Sequence, residues 1–60
     1  MPFVQVKVWE GFGRENTAAA IKEITEVFTR MGKPAASVRV LVQEVPKTNW
    51  GIGGVPASEL

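Results

Sequence analysis

Residues 3–9 read FVQVKVW, and their alternation decides the fold. Val4, Val6 and Val8 fall on one side of an extended chain; Phe3, Gln5, Lys7 and Trp9 fall on the other. Successive side chains of a strand point to opposite faces, so this stretch predicts a β-strand with one face more apolar than the other. Residues 37–45, SVRVLVQEV, repeat the pattern from Ser37 to Val45: Val38, Val40 and Val42 share one face, and Arg39, Leu41, Gln43 and Val45 share the other. Between the two the period changes. From about Arg14 to Met31, the residues Ala20, Ile21, Ile24, Val27, Phe28 and Met31 recur at helical spacing and form one apolar stripe. Gly11 and Gly13 break the first strand, and Gly32 followed by Pro34 stops the helix. Strand, helix, strand predicts an α/β fold: a short βαβ unit with parallel strands and a right-handed crossover. The valines of both strands should cover the helix stripe. The tail, PKTNWGIGGVPASEL, carries Gly51, Gly53 and Gly54, which predict a tight hairpin or an arm that packs elsewhere.

Size then turns the reading outward. The chain has 60 residues, enough for a single domain spanning 1–60. A domain this small buries a modest fraction of its surface and usually leans on disulfides, a metal or oligomerisation. The sequence has no Cys and no His, so disulfides and thiolate or imidazole metal sites are excluded. Oligomerisation is left. One helix covers one sheet face only, and the other face presents Trp9, Leu41 and Val45 among polar residues. A two-stranded sheet is seldom stable alone, so that face and the Gly-rich arm are expected to be buried against other copies. The net charge is +1, with Lys and Arg spread along the chain, which argues against a nucleic-acid partner. No apolar run approaches a membrane span and no signal peptide is visible; a cytoplasmic location is expected.

The same absences close most catalytic routes. Without His, Cys or Asp the common acid–base and thiol chemistries are gone. GFGREN and GIGG fit neither a phosphate loop nor a dinucleotide fingerprint and read as loop punctuation. No cofactor is expected. Three residues remain. Pro2 fits two roles: a strand opener whose missing N–H costs nothing, or, after removal of Met1, a free secondary amine. An ordinary α-amino group titrates near pH ~8, and apolar burial or nearby cations push such a pKa down, toward a base poised near neutrality. Arg39 lies mid-strand opposite the valine face, suited either to a carboxylate fork or to an ion pair with Glu10 or Glu44. Trp50 either walls a pocket or anchors an interface.

Together these residues resemble the 4-oxalocrotonate tautomerases. The resemblance rests on Pro2 directly after Met1, EG closing the first strand, SVRV in the second strand and WGIGG after it, and it covers the chain from Pro2 to about Leu60. It implies a hexamer built as a trimer of dimers, a hairpin arm reaching across subunits and active sites at subunit interfaces. It implies that Pro2 is the general base and then the acid in enol–keto proton transfer on a small unsaturated 2-hydroxy or 2-oxo acid resembling 2-hydroxymuconate. Arg39 corresponds to the family's carboxylate-binding arginine. Trp50 stands at an aromatic position that keeps the pocket dry.

One departure stands out. The residue after EG is an arginine in the best-known members and Phe12 here; Arg14 follows two residues later, at the start of the helix. Arg14 either swings in or stays solvated. Substrate recognition would then combine Arg39 with apolar contact from Phe12, Trp9 and Trp50. An alternative is a weakly active subunit of a mixed hexamer whose homologous partner supplies the missing arginine. A third reading, hydration or dehalogenation, needs a water-activating group and has only Glu10 and Glu44 to offer.

Overall fold

The two alternating stretches pair with each other. In the computed structural model, which describes residues 1–60, strand β1 (Phe3–Trp9) and strand β2 (Arg39–Val45) run parallel, connected through helix α1 (Arg14–Thr29). The register sets Phe3 opposite Arg39, Val4 opposite Val40, Val6 opposite Val42 and Trp9 opposite Val45. The valines of both strands therefore share one face, and they are half-covered while Phe3, Gln5, Lys7 and Trp9 are exposed. The helix packs on β2 across that valine face.

β2 begins two residues later than the alternation from Ser37 predicts. Residues Ala35–Ser37 form a 3-10 turn after Pro34, closed by the Ser37 N–H and hydroxyl donating to the Pro34 carbonyl at 3.0 and 2.8 Å. The reason lies in the partner strand. The ladder opens with the Arg39 N–H donating to the Pro2 carbonyl at 2.9 Å. Pro2 has no N–H to return, so nothing ahead of Arg39 has a ladder to join.

The helix also differs from its stripe. Thr17, Ala20, Ile24, Thr25 and Phe28 are half-buried, but Ile21 and Val27, on opposite edges of the stripe, stay 39% and 40% exposed. Met31 lies beyond the helix and is 66% exposed. Gly32, at φ 89°, reverses the chain, and the Lys33 N–H returns to the Phe28 carbonyl at 3.1 Å, the ordinary way to satisfy a helix's last acceptors. At the other end, Gly13 occupies the cap position and has no side chain to offer. Glu44 of β2 instead holds the cap residue's own main chain: its Oε2 accepts the Gly13 N–H at 2.9 Å. A carboxylate beside the first turn also suits the helix dipole.

The tail forms a hairpin arm, with β3 (Gly51–Ile52) antiparallel to β4 (Val55–Pro56). Gly53 and Gly54 join them with φ 61° and 87°, the two positive values that a tight primed hairpin turn requires. The Ala57 N–H then donates to the Trp50 carbonyl at 2.6 Å, folding the end of the arm back on its start.

This subunit has almost no interior. Ala57 is the only buried residue. The radius of gyration is 14.4 Å, against roughly 10 Å for a compact chain of this length. Phe3, Leu41 and Trp9 on the open sheet face are 59%, 46% and 41% exposed. An apolar sheet face of this kind is stable in water only when covered, so the fold is completed by oligomerisation.

Candidate functional site

The six candidate residues fall into two groups at opposite ends of β1. Pro2 and Arg39 occupy the first end. Pro2 is half-buried, and its carbonyl is held by the Arg39 N–H, while its nitrogen lies outside the ladder. Met1, attached to that nitrogen, is 83% exposed. The Arg39 side chain stands on the open face, opposite Phe3 in the register.

Trp9, Phe12, Arg14 and Trp50 belong to the other end. The Trp9 and Trp50 rings meet edge to face, with centroids 5.8 Å apart and planes at 78°. That geometry sets the positive edge of one ring against the negative face of the other. The Lys47 Nζ lies over the Trp9 ring, 4.7 Å from its centroid. Beside Trp50 opens a depression of about 410 Å3, lined by Lys7, Val45, Asn49, Trp50 and Gly51. The Lys7 Nζ donates to Gln43 Oε1 at 2.7 Å, bridging the two strands. Phe12 is half-buried in the loop after β1, and its carbonyl accepts the Asn16 amide at 2.9 Å. Arg14 opens the helix and is exposed.

Seven residue steps at about 3.3 Å separate Pro2 from Trp9, a span of roughly 23 Å. One protomer therefore brings Pro2 together with Arg39, and Trp9 with Trp50, but not the two groups with each other.

Two features escape a reading of the sequence by residue type. Glu44, which the sequence offers as an ion-pair partner of Arg39 or a water-activating group, is engaged at the start of the helix, on the face away from Arg39. Lys47 carries no motif at all. Its position follows only from the strand register: Val45 pairs with Trp9, so the chain leaving β2 passes the Trp9 ring. No cluster of three or more His, Cys, Asp or Glu side chains forms a potential metal centre.

Comparison with known proteins places this arrangement. The family model for tautomerase enzymes matches residues 2–59. The chain belongs to the tautomerase family. The 2-hydroxymuconate tautomerase of Comamonas testosteroni is 46% identical to it over 61 aligned positions, covering 100% of this chain and 97% of that protein. Among solved structures, a 4-oxalocrotonate tautomerase isozyme from Methylibium petroleiphilum superposes with a TM-score of 0.86 at 43% identity, covering 95% of this chain and 94% of its own. The heterohexamer 4-oxalocrotonate tautomerase of Chloroflexus aurantiacus superposes with a TM-score of 0.87 at 31% identity, covering 100% and 98%. The resemblance read from Pro2, SVRV and WGIGG is thereby borne out, and the chain is a tautomerase-type isomerase. No helix of the tautomerase is long and apolar enough to cross a membrane.

Proposed function

We propose that this tautomerase moves a proton on a small unsaturated 2-hydroxy acid of the 2-hydroxymuconate type, with Pro2 as the base once Met1 has been removed. The observation that carries the reading is the position of Pro2: its carbonyl is held by the Arg39 N–H, and its nitrogen takes no part in the sheet. A secondary amine there is fixed in place yet free to react. In its neutral form it takes the proton of the enol O–H. The electron pair of that bond forms the C=O, the double bonds shift along the conjugated chain, and the far carbon accepts the proton back from the prolinium. Arg39 binds the carboxylate next to the reacting oxygen and draws electron density toward it. Trp50, Trp9 and Phe12 supply the apolar wall that keeps water out and favours the neutral amine. Arg14 stays at the helix start, outside the pocket.

The two ends of β1 meet when subunits associate about a two-fold axis perpendicular to the strands, because such an axis runs the partner's β1 antiparallel and sets one protomer's Pro2 end against its partner's Trp9 end. A homo-hexamer built as a trimer of dimers satisfies this and covers the open sheet face; the heterohexameric relative supports that size of assembly. Residues 1–60 then act as one tautomerase-like domain.

The test is a ketonisation assay of 2-hydroxymuconate and of phenylenolpyruvate with purified homo-oligomer whose intact mass shows Met1 to be absent. Acceleration of at least one enol is expected. Silence with both overturns the reading for the homo-oligomer; activity restored by a co-expressed homologous chain would assign the protein to a mixed hexamer.

A further inference from the structure

We propose that Lys47 is a carboxylate anchor of the substrate site, binding the acid group that lies farther from the reacting enol and so setting a preference for dicarboxylates. The inference rests on the tautomerase reading above and adds to it the identity of the group that holds the substrate's far end.

Three observations carry it. The Trp9 and Trp50 rings form the aromatic wall of this end, and Lys47 is the cation lying on it, 4.7 Å from the Trp9 centroid. A lysine over a ring face keeps its ammonium near the aromatic surface while leaving N–H donors turned outward. The loop residue Phe12 brings an aromatic to this end and no charge; Arg14 stands exposed at the helix start, so the cations set against the wall itself are Lys47 on the Trp9 ring and Lys7 beside Trp50.

The second observation is how firmly Lys47 is tied to Trp50. Pro46, at φ −60°, precedes a 3-10 turn over Lys47–Asn49. The Asn49 N–H donates to the Pro46 carbonyl at 2.9 Å, and the Trp50 N–H donates to the Lys47 carbonyl at 3.3 Å. The anchor and the wall are thus two ends of one closed turn. A free lysine loses much rotamer freedom when it grips an anion; here the ring contact has already restricted it.

The third is the comparison with Lys7, the other lysine at this end. Lys7 lines the 410 Å3 depression beside Trp50, but its ammonium is engaged with Gln43 Oε1 at 2.7 Å. The Lys47 ammonium rests on a ring face and accepts a carboxylate without breaking a hydrogen bond.

Two readouts test the proposal on the assembled protein. In the first, tryptophan fluorescence follows titration with adipate, a six-carbon dicarboxylate, and with hexanoate, its monocarboxylate counterpart. Lys47→Met keeps the aliphatic stem and removes the charge; it is expected to weaken adipate binding by about 10-fold or more while leaving hexanoate unchanged, and Lys47→Arg is expected to restore adipate binding. In the second, the same variant raises KM for a dicarboxylate enol by a similar factor, with kcat retained and the KM of a monocarboxylate enol unchanged. The proposal is overturned if Lys47→Met leaves adipate binding within about twofold of the parent, if hexanoate weakens equally, or if the parent itself does not bind adipate. Loss in Lys7→Met with Lys47→Met inert also overturns it, moving the anchor to Lys7. The fluorescence readout needs no turnover. A protein that binds adipate through Lys47 yet turns over no enol sinks the proline-base reading and leaves the anchor standing.

Discussion

The main-chain N–H of Arg39 donates to the carbonyl of Pro2 at 2.9 Å, and this is the first rung of the parallel ladder. The bond joins residues 37 positions apart in the chain. It fixes the strand register, since every later pair from Phe3–Arg39 to Trp9–Val45 follows from it. It also spares the Pro2 nitrogen from structural duty.

If that nitrogen is the base, its covalent state governs activity. Protein expressed so that Met1 is retained should lose at least about 100-fold in kcat/KM, because an amide nitrogen has no basic lone pair. In the trimmed enzyme, kcat/KM should fall as pH drops through the proline pKa, since only the neutral amine takes a proton. Mass spectrometry paired with a pH–rate profile checks both; full activity in the Met1-retaining protein would remove Pro2 from the chemistry.

Replacing Arg39 separates binding from scaffolding. Arg39→Ala keeps the main-chain rung and loses the guanidinium, so the fold should persist while kcat/KM drops by about 10- to 100-fold, shared between KM and kcat. Arg39→Lys should recover only part of this, because a lysine does not reproduce the planar fork. An unchanged kcat/KM in the alanine variant would exclude the side chain from the site.

Leu41 reports on the open face. It is 46% exposed in the subunit and lies opposite Gln5 at the centre of the sheet. A charge there has no route to solvent once copies cover the face, so Leu41→Glu should dissociate the assembly and lower its helical circular dichroism. Sedimentation at matched concentrations decides it, and an intact oligomer would show that this face stays open.

Glu44 is predicted to matter for stability and not for chemistry. Glu44→Ala removes the acceptor of the Gly13 N–H and the negative charge beside the first helical turn, at a cost of about 1 kcal/mol. The thermal midpoint should drop by several degrees with kcat/KM retained at 25 °C. A large fall in turnover with an unchanged midpoint would instead place Glu44 among the reacting groups.

The alternation of valines at 4, 6 and 8 and again at 38, 40 and 42 made the paired strands legible, and the period between them made the helix legible. Gly53 and Gly54 made the hairpin legible, since few other residues accept positive φ in succession. The true start of β2 was not, because it depends on what Pro2 cannot donate, a fact about the neighbouring strand. Nor was the cap from Glu44, a contact spanning 31 positions. Motifs picked out Pro2, Arg39 and Trp50 singly. That they lie at two ends of one strand is a matter of strand length, and the Lys47–Trp9 contact a matter of register. Neither property belongs to any residue type.

The near-absence of an interior, with Ala57 alone buried, has a consequence for measurement. When the packing that holds a subunit together is supplied by other subunits, folding and association are one equilibrium governed by mass action. Specific activity should then depend on total protein concentration, falling on dilution and returning on reconcentration. A melting temperature quoted for this enzyme has meaning only alongside the concentration at which it was taken.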